Sequence, residues 1–334
     1  MPIMPQTCVM TYPRTPITLI LACILTFALI PSHLKAEVTL LIPAKPDILA
    51  PQSKKDQAKD KSSAIQPKKE MTKDAQKSPP APQSSPQNNN PIPKDKGNLV
   101  QINEETDILI SRIKAFAYTF SPMDMPQAFT VLRYSREKPM NNGHPQATRR
   151  DLLGDVEEIL YKGQKAWGAN VGIVEPGLYQ FVLETRPWWD EVQQHFCQQY
   201  VKVLLPVYGD DTGWEEPSGQ RFEIVPMTRP FGLLAPSLFT GKVLFDGHPC
   251  ANCLVIIERI NTDGQKVPTP WHQALVLRSD ANGQFSAILN KAGWWCCRAL
   301  LEGAPLKGAD GHPKALQLGS LYWIYVDGNA VPAR

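Results

Sequence analysis

The sequence predicts an all-β protein: two tandem β-sandwich domains behind a signal peptide and a disordered Lys/Pro-rich tether. Three observations carry that expectation. Short apolar runs bounded by Gly, Pro, Asn and Asp recur from residue 99 onward, the punctuation of strands and turns rather than of long helices. Residues 54–96 are rich in Lys, Pro, Gln and Ser and hold no aromatic side chain, so they cannot bury enough surface to offset the entropy of ordering. An apolar run near the start precedes both.

That run reads as an export signal. MPIMPQTCVMTYPRTP carries one positive charge, Arg14, and no acid; ITLILACILTFALI (17–30) follows, and PSHLKA ends in Ala36 before Glu37. A charged start, an apolar centre and a small-residue exit are the parts of a secretory signal. The apolar run is shorter than the roughly 20 residues of a spanning helix. Cleavage delivers a periplasmic or extracellular protein, whereas an uncleaved signal anchors it to the inner membrane. Cys23, in ILAC (20–23), is disfavoured as a lipid-bearing cysteine because most of the apolar segment follows it. The expected divisions are a signal peptide at 1–36, an N-terminal strand of the first domain at 37–50, a linker at 51–98, a first sandwich at 99–235 and a second, transthyretin-like sandwich at 236–330.

Within the first unit, EVTLLIP (37–43), the run ending in ILISRIKAFAY, FTVLRY (129–134), AWGANVGI, GLYQFVLETR and QYVKVLLPVY are candidate strands. RRDLLGDVEEIL (149–160) reads as a helical or turn segment between them, and the prolines of EIVPMTRPFGLL exclude a central strand. In the second unit LFTGKVLFDG (238–247) runs into an Asp-Gly turn with CLVIIERI (253–260) as its returning strand. A strand, turn and strand follow around Asp280-Ala-Asn-Gly283, then KAGWWCCRALL and SLYWIYVDG.

Charge and cysteine usage narrow the function. The net charge is +3, with much of the lysine in the tether, so no basic face for nucleic acid is expected. Removal of the signal leaves Cys197, Cys250, Cys253, Cys296 and Cys297 in an oxidising compartment. The last four are candidates for a disulfide or for plain buried thiols. A four-thiolate zinc site is disfavoured, because adjacent cysteines on an extended chain point to opposite faces.

The sequence holds no Gly-x-Ser-x-Gly, phosphate loop, His-Glu-x-x-His or dinucleotide fingerprint, so no enzymatic activity is expected. Asp263, Asp280 and Asn282 resemble calcium ligands but sit where Asx residues favour turns. Asp210-Asp211 and Glu215-Glu216 read as surface charge. His195-x-Cys197, behind Trp188-Trp189, is the suggestive pair.

Longer blocks then carry a resemblance. PWW-D (187–190), Phe196, Q-Y-V-K (199–202), YGDDTGW-EEPSG (208–219), EIVPMTRPFGLLAPSLFTGKVLFDGHP (223–249), DANGQFSAILNKAGWW (280–295) and LGSLYWIYVDG (318–328) resemble exported accessory proteins encoded beside nickel and cobalt uptake systems, an uncharacterised domain family named for nickel transport. The resemblance covers residues 37–49 and about 100–328. It implies a C-terminal sandwich of the transthyretin-like or carboxypeptidase-regulatory type, a Ni(II) or Co(II) ligand, and membrane transporter components as partners.

The resemblance also implies three ligand positions, each a histidine in relatives: one just after the signal, one ahead of a Met-x-x-Pro-x-x-Phe segment, and one in an Ile-x-His-Tyr-Thr-Lys strand. Here the matching residues are Glu37, Tyr118 and Gln199. Imidazole suits Ni(II) and Co(II), whereas a phenol or a neutral amide binds them poorly. Two substitutes are on offer. Cleavage after Ser32 would expose His33 with its α-amine, and Cys197 and His195 share a strand face with Gln199. Cys197 would sit roughly 7 Å along the strand from Gln199 and His195 about twice as far. The expectation is a periplasmic, non-enzymatic binding or accessory protein of nickel or cobalt uptake with weakened or lost metal binding. The alternative is an envelope interaction module with no metal role, anchored by Trp188-Trp189 or Trp294-Trp295.

Overall fold

The computed structural model describes residues 36–49 and 104–328. The signal, the tether and His33 lie outside the described residues. In chain order the first strands are β1 (Val38–Pro43), β2 (Glu104–Lys114), β3 (Thr119–Ser121), β4 (Ala128–Tyr134), β5 (Met140–Asn141), β6 (His144–Pro145) and β7 (Thr148–Asp151). Then come β8 (Val156–Tyr161), β9 (Gln164–Ile173), β10 (Gly177–Glu184), β11 (Trp188–Asp190), β12 (His195–Val207) and β13 (Phe222–Pro226). The remainder are β14 (Leu233–Leu234), β15 (Ser237–Phe245), β16 (His248–Pro249), β17 (Leu254–Arg259), β18 (Ala274–Arg278), β19 (Gln284–Leu289), β20 (Gly293–Lys307) and β21 (Pro313–Asp327).

The protein is all-β, built from sandwiched sheets. A five-stranded sheet runs β1-β2-β9-β8 with β3 on β2. A ten-stranded sheet runs β18-β17-β20-β21-β12-β10-β4-β7, with β11 on β12 and β14 on β21. A four-stranded sheet runs β13-β15-β16 with β19 on β15. The ten-stranded sheet joins the two halves of the chain along one seam, where β12 and β21 pair in parallel from Phe196↔Leu316 to Val203↔Trp323.

Side chains alternate across this shared sheet into two separate cores. On β12, Val201, Val203, Leu205 and Val207 face the five-stranded sheet, while Tyr200 and Leu204 face the four-stranded one. On β21, Leu321 and Trp323 enter the first core, and Tyr322, Ile324 and Val326 the second. A strand buried on both faces needs a nearly continuous apolar run rather than an alternating one, which is what QYVKVLLPVY and LYWIYV provide.

Three details depart from the sequence reading. Residues 149–160 form β7, a single 3-10 turn at Leu153–Asp155 and β8, since Gly154 and the exposed charges offer no apolar helical face. After the Asp246-Gly247 turn, whose φ values of 49° and 77° suit a primed hairpin turn, the return on β15 lasts only for β16. CLVIIERI crosses instead to the ten-stranded sheet as β17, between β18 and β20. Likewise β18 and β19 flank one turn but join different sheets. That crossing requires a close approach: a Cβ on Gly283 would lie 2.6 Å from the Val243 carbonyl oxygen.

A buried ion pair ties the shared sheet to the four-stranded one. Lys202, on the second face of β12, places Nζ 2.9 Å from Glu223 Oε2 with both side chains almost fully enclosed. Ser218 donates to the same oxygen from its amide (2.8 Å) and its hydroxyl (2.7 Å), and the Gly219 amide donates to Oε1 at 3.2 Å. The motif EEPSG is thereby stapled to β12 and β13. Burial pushes the Glu223 carboxyl up, but Lys202 and Ser218 outweigh burial and hold it below the usual range. A depressed carboxyl contributes stability that is complete above the unfolded glutamate value, about 4.3, and is lost as acid titrates through the lower folded value. Lys202→Ala strands the carboxylate and is expected to cost about 3–5 kcal/mol in urea unfolding. Lys202→Met combined with Glu223→Leu should cost less and flatten the acid limb of the stability profile.

Candidate functional site

Gln199 lies on β12 next to Gly319 of β21. Its backbone exchanges hydrogen bonds with Thr185, whose hydroxyl accepts from Gln199 N at 2.9 Å and whose amide donates to Gln199 O at 2.9 Å. The side chain reaches across to β1. Gln199 Oε1 accepts from Thr39 N at 2.7 Å, and Nε2 donates to Glu37 O at 2.9 Å. An amide donor and acceptor meeting residues two apart on an extended chain reproduce the bonding of a neighbouring strand. Trp323 Nε1 adds a bond to Thr39 O at 2.9 Å. The edge of β1 away from β2 is thus closed by two side chains of the shared sheet.

The Glu37 carboxylate lies among cations. Ser121 Oγ donates to Oε1 at 2.5 Å, Arg112 Nε is 3.8 Å from Oε2, and Lys114 Nζ is 3.9 Å from Oε1. Arg112 and Lys114 share a face because side chains on β2 alternate with period two; neither was singled out in the sequence, although this spacing was visible there. The Arg112 guanidinium also stacks 4.3 Å from the Trp188 ring centroid. Two cations within 4 Å of one carboxylate oppose the entry of a dication.

Tyr118 does not join this group. It sits in the β2–β3 turn with φ of 51°, its ring 5.4 Å from Phe120 in an edge-to-face contact, and it hydrogen-bonds Tyr161. The described contacts therefore bring Glu37 and Gln199 together and take Tyr118 elsewhere.

His195 and Cys197 do meet, Sγ lying 3.5 Å from Nδ1. The same Nδ1 is 3.1 Å from the Phe196 carbonyl. A carbonyl oxygen only accepts, so Nδ1 carries the proton in that bond. Burial pushes the Cys197 thiol up to about 12, with Asp190 adding to the shift and Arg298 and Arg112 opposing it. A metal ligand at this cysteine must be a thiolate, and the surroundings hold the thiol. Among the described residues no three His, Cys, Asp or Glu side chains converge.

The other four cysteines among the described residues are free thiols. Cys296 faces the first core and Cys297 the second, so the shared sheet separates the vicinal pair. Cys250 and Cys253 are neighbours: Ser279 Oγ donates to Cys250 O at 2.6 Å and accepts from Cys253 N at 2.9 Å. Asp280 accepts from the amides of Asn282 and Gln284, both at 2.8 Å, which is the turn role rather than that of a calcium ligand. Asp210 departs from the surface-charge reading. It is buried and accepts from the amides of Arg136 and Thr212 and from the Thr212 hydroxyl, and these donors outweigh burial to hold its carboxyl below the usual range.

The paired tryptophans are packing residues. Trp188 and Trp295 are buried, Trp189 packs on Phe196, and Trp294 on Tyr325. A cavity of about 820 Å³ lies away from Glu37, along β8, β9 and Trp294. In its lining Arg150 pairs with Asp155 at 2.6 Å and Asp107 accepts from Asn170 at 2.9 Å, beside Glu157.

Comparison with known proteins adds the following. The family described as Domain of unknown function (DUF4198) matches residues 105–303. No curated protein matches the sequence. Among solved structures, the chain is similar to the Ig1-Ig2 fragment of Dpr2, solved in complex with DIP-Theta Ig1-Ig3, at 8% identity over 68% of this chain and 91% of that one, with a TM-score of 0.17. It is also similar to BcpA, the major pilin subunit of Bacillus cereus, at 9% identity over 67% and 66%, with a TM-score of 0.14. Likenesses of that size say nothing about function.

Gln199→Ala is expected to destabilise the protein by about 1–3 kcal/mol, because it leaves the Thr39 amide without its acceptor; hydrogen exchange at Thr39 should quicken while the β12–β21 ladder keeps its protection. At neutral pH Cys197 should resist iodoacetamide in the native protein and react only on unfolding, read by mass spectrometry of its tryptic peptide.

Proposed function

The chain belongs to the family described as Domain of unknown function (DUF4198), and on that footing we propose an exported, non-enzymatic accessory protein of nickel or cobalt uptake whose metal position has become a structural clamp. The observation that carries this reading is the bonding of Gln199. Both ends of its amide are committed to the β1 backbone, where the resemblance would put a histidine ligand. Glu37, at a second such position, is held by Ser121, Arg112 and Lys114. A donor set of one salt-bridged carboxylate and one committed amide is poor for Ni(II) or Co(II). On this reading the protein acts by docking, with periplasm-facing components of a membrane transporter as its partners. The two long faces of the shared sheet fit a C-terminal unit of the transthyretin-like type, with β13, β15, β16 and β19 packed against β17, β20 and β21.

A second reading, an envelope interaction module with no metal role, is favoured by a specific surface. Trp271 is 61% exposed and immediately precedes β18, which closes one edge of the ten-stranded sheet.

Calorimetry with Ni(II), Co(II) and Zn(II) on the mature protein, its N-terminus mapped by mass spectrometry, tests the clamp reading. No saturable binding at micromolar metal is expected. Tight binding that disappears in Cys197→Ser, or on removal of residues 33–37, would mean a relocated site and would overturn it.

A further inference from the structure

We propose that the open edge of β18 is a docking site for an extended, acid-bearing strand of a partner protein, an inference that rests on the interaction-module reading. Three other sheet edges among the described residues are blunted. Gln199 and Trp323 cap β1, Arg149, Arg150 and Asp151 charge β7, and Glu157 and Glu158 charge β8. Such devices are how sheets discourage unwanted pairing. β18, with sequence ALVLR, pairs among the described residues with β17 alone and carries one charge, at its end. Leu275 and Val276 point to opposite faces and are 47% and 45% exposed. The unpaired backbone groups of an edge strand specify what covers them: another extended chain.

Side chains around the edge specify its chemistry. A cavity of about 320 Å³ opens at the Ala274 end, with Trp271, Leu275, Ile288 and Phe116 as its apolar wall and Arg259 and Lys291 among its polar residues. Ile288 is 57% exposed. Among the described residues no carboxylate lines this cavity, and the nearby Asp263 and Arg259 pair with each other at 2.5 Å. Arg278 stands exposed at the other end of the strand, bonded only to the Asn252 carbonyl at 2.9 Å among the described contacts. Lys291 and Arg278 thus put a cation near each end of β18, whose Ala274 and Arg278 lie about 13 Å apart along an extended chain. A complementary strand carries acids four residues apart with an apolar residue between them. A second copy fits poorly. Antiparallel self-pairing about Val276 sets Arg278 opposite Ala274, on the side of the other copy's Lys291.

The test uses two capped synthetic peptides, Thr-Val-Glu-Val-Thr-Val-Glu-Val-Thr and its counterpart with lysine at both glutamate positions, titrated into the full chain by calorimetry. The glutamate peptide should bind about tenfold more tightly than the lysine peptide, the scale of two partly exposed ion pairs made or reversed. Arg278→Glu with Lys291→Glu should invert that preference. Leu275→Lys should abolish binding of both peptides, with an unchanged thermal melt as the control for folding. Equal binding of the two peptides overturns the acidic partner and leaves the interaction module standing. Absence of any binding, or binding that survives Leu275→Lys, overturns the docking site itself. A dimer in sedimentation velocity that Leu275→Lys dissociates makes the occupant a second copy and overturns the proposal.

Discussion

The parallel pairing of β12 with β21 is the constraint on which the rest of the molecule depends. It fuses a strand from the middle of the described chain with its last strand into one sheet, and that sheet then has a core on each side. A sheet with no wet face in its middle tolerates few polar side chains, and each must find partners inside the protein. Lys202 finds Glu223, Gln199 finds the β1 backbone, and Gln180 donates to the carbonyls of Gly213 and Glu216. Each of these partners lies in a loop or strand outside the shared sheet, so the polar groups act as staples from the sheet to the layers around it.

The clamp at β1 shows what a buried glutamine does for a strand edge. β1 is joined to the rest of its sheet only through β2, and its other edge faces the shared sheet. An edge so placed needs donors and acceptors supplied from across the gap. A glutamine can meet two backbone groups at once because it carries both a donor and an acceptor on one planar group. An imidazole in its neutral form presents one of each on opposite sides of the ring, so it satisfies one backbone group and leaves the other nitrogen for a metal.

The same accounting governs the cysteines. Alternation along β20 sends Cys296 and Cys297 into different cores, and burial in those cores pushes both thiols well up from their ordinary value. Cys197 is held protonated by its own burial near Asp190. Thiols so placed act as small apolar side chains.

Strand content, turn chemistry and the all-β class were legible in the residues themselves, because period-two patterning and Asp-Gly, Asn-Gly and Pro punctuation are local signals. The Asp246-Gly247 turn is a clear instance. The nearly unbroken apolar runs of β12 and β21 carried the signal of strands buried on both faces, but they were read only as strands. Which strands pair was not legible. CLVIIERI follows a hairpin turn yet crosses to another sheet, and the pairing of β12 with β21 spans more than a hundred residues, so no local pattern encodes it. At the candidate site, the position of Gln199 was readable, but its role was not. Whether a glutamine is a weakened ligand or a strand clamp depends on what lies across from it, and only the tertiary structure put Glu37, Thr39 and Trp323 there. The reason is physical: propensity and periodicity act over a few residues, whereas the satisfaction of a buried polar group is decided by whichever segment the fold brings within 3 Å.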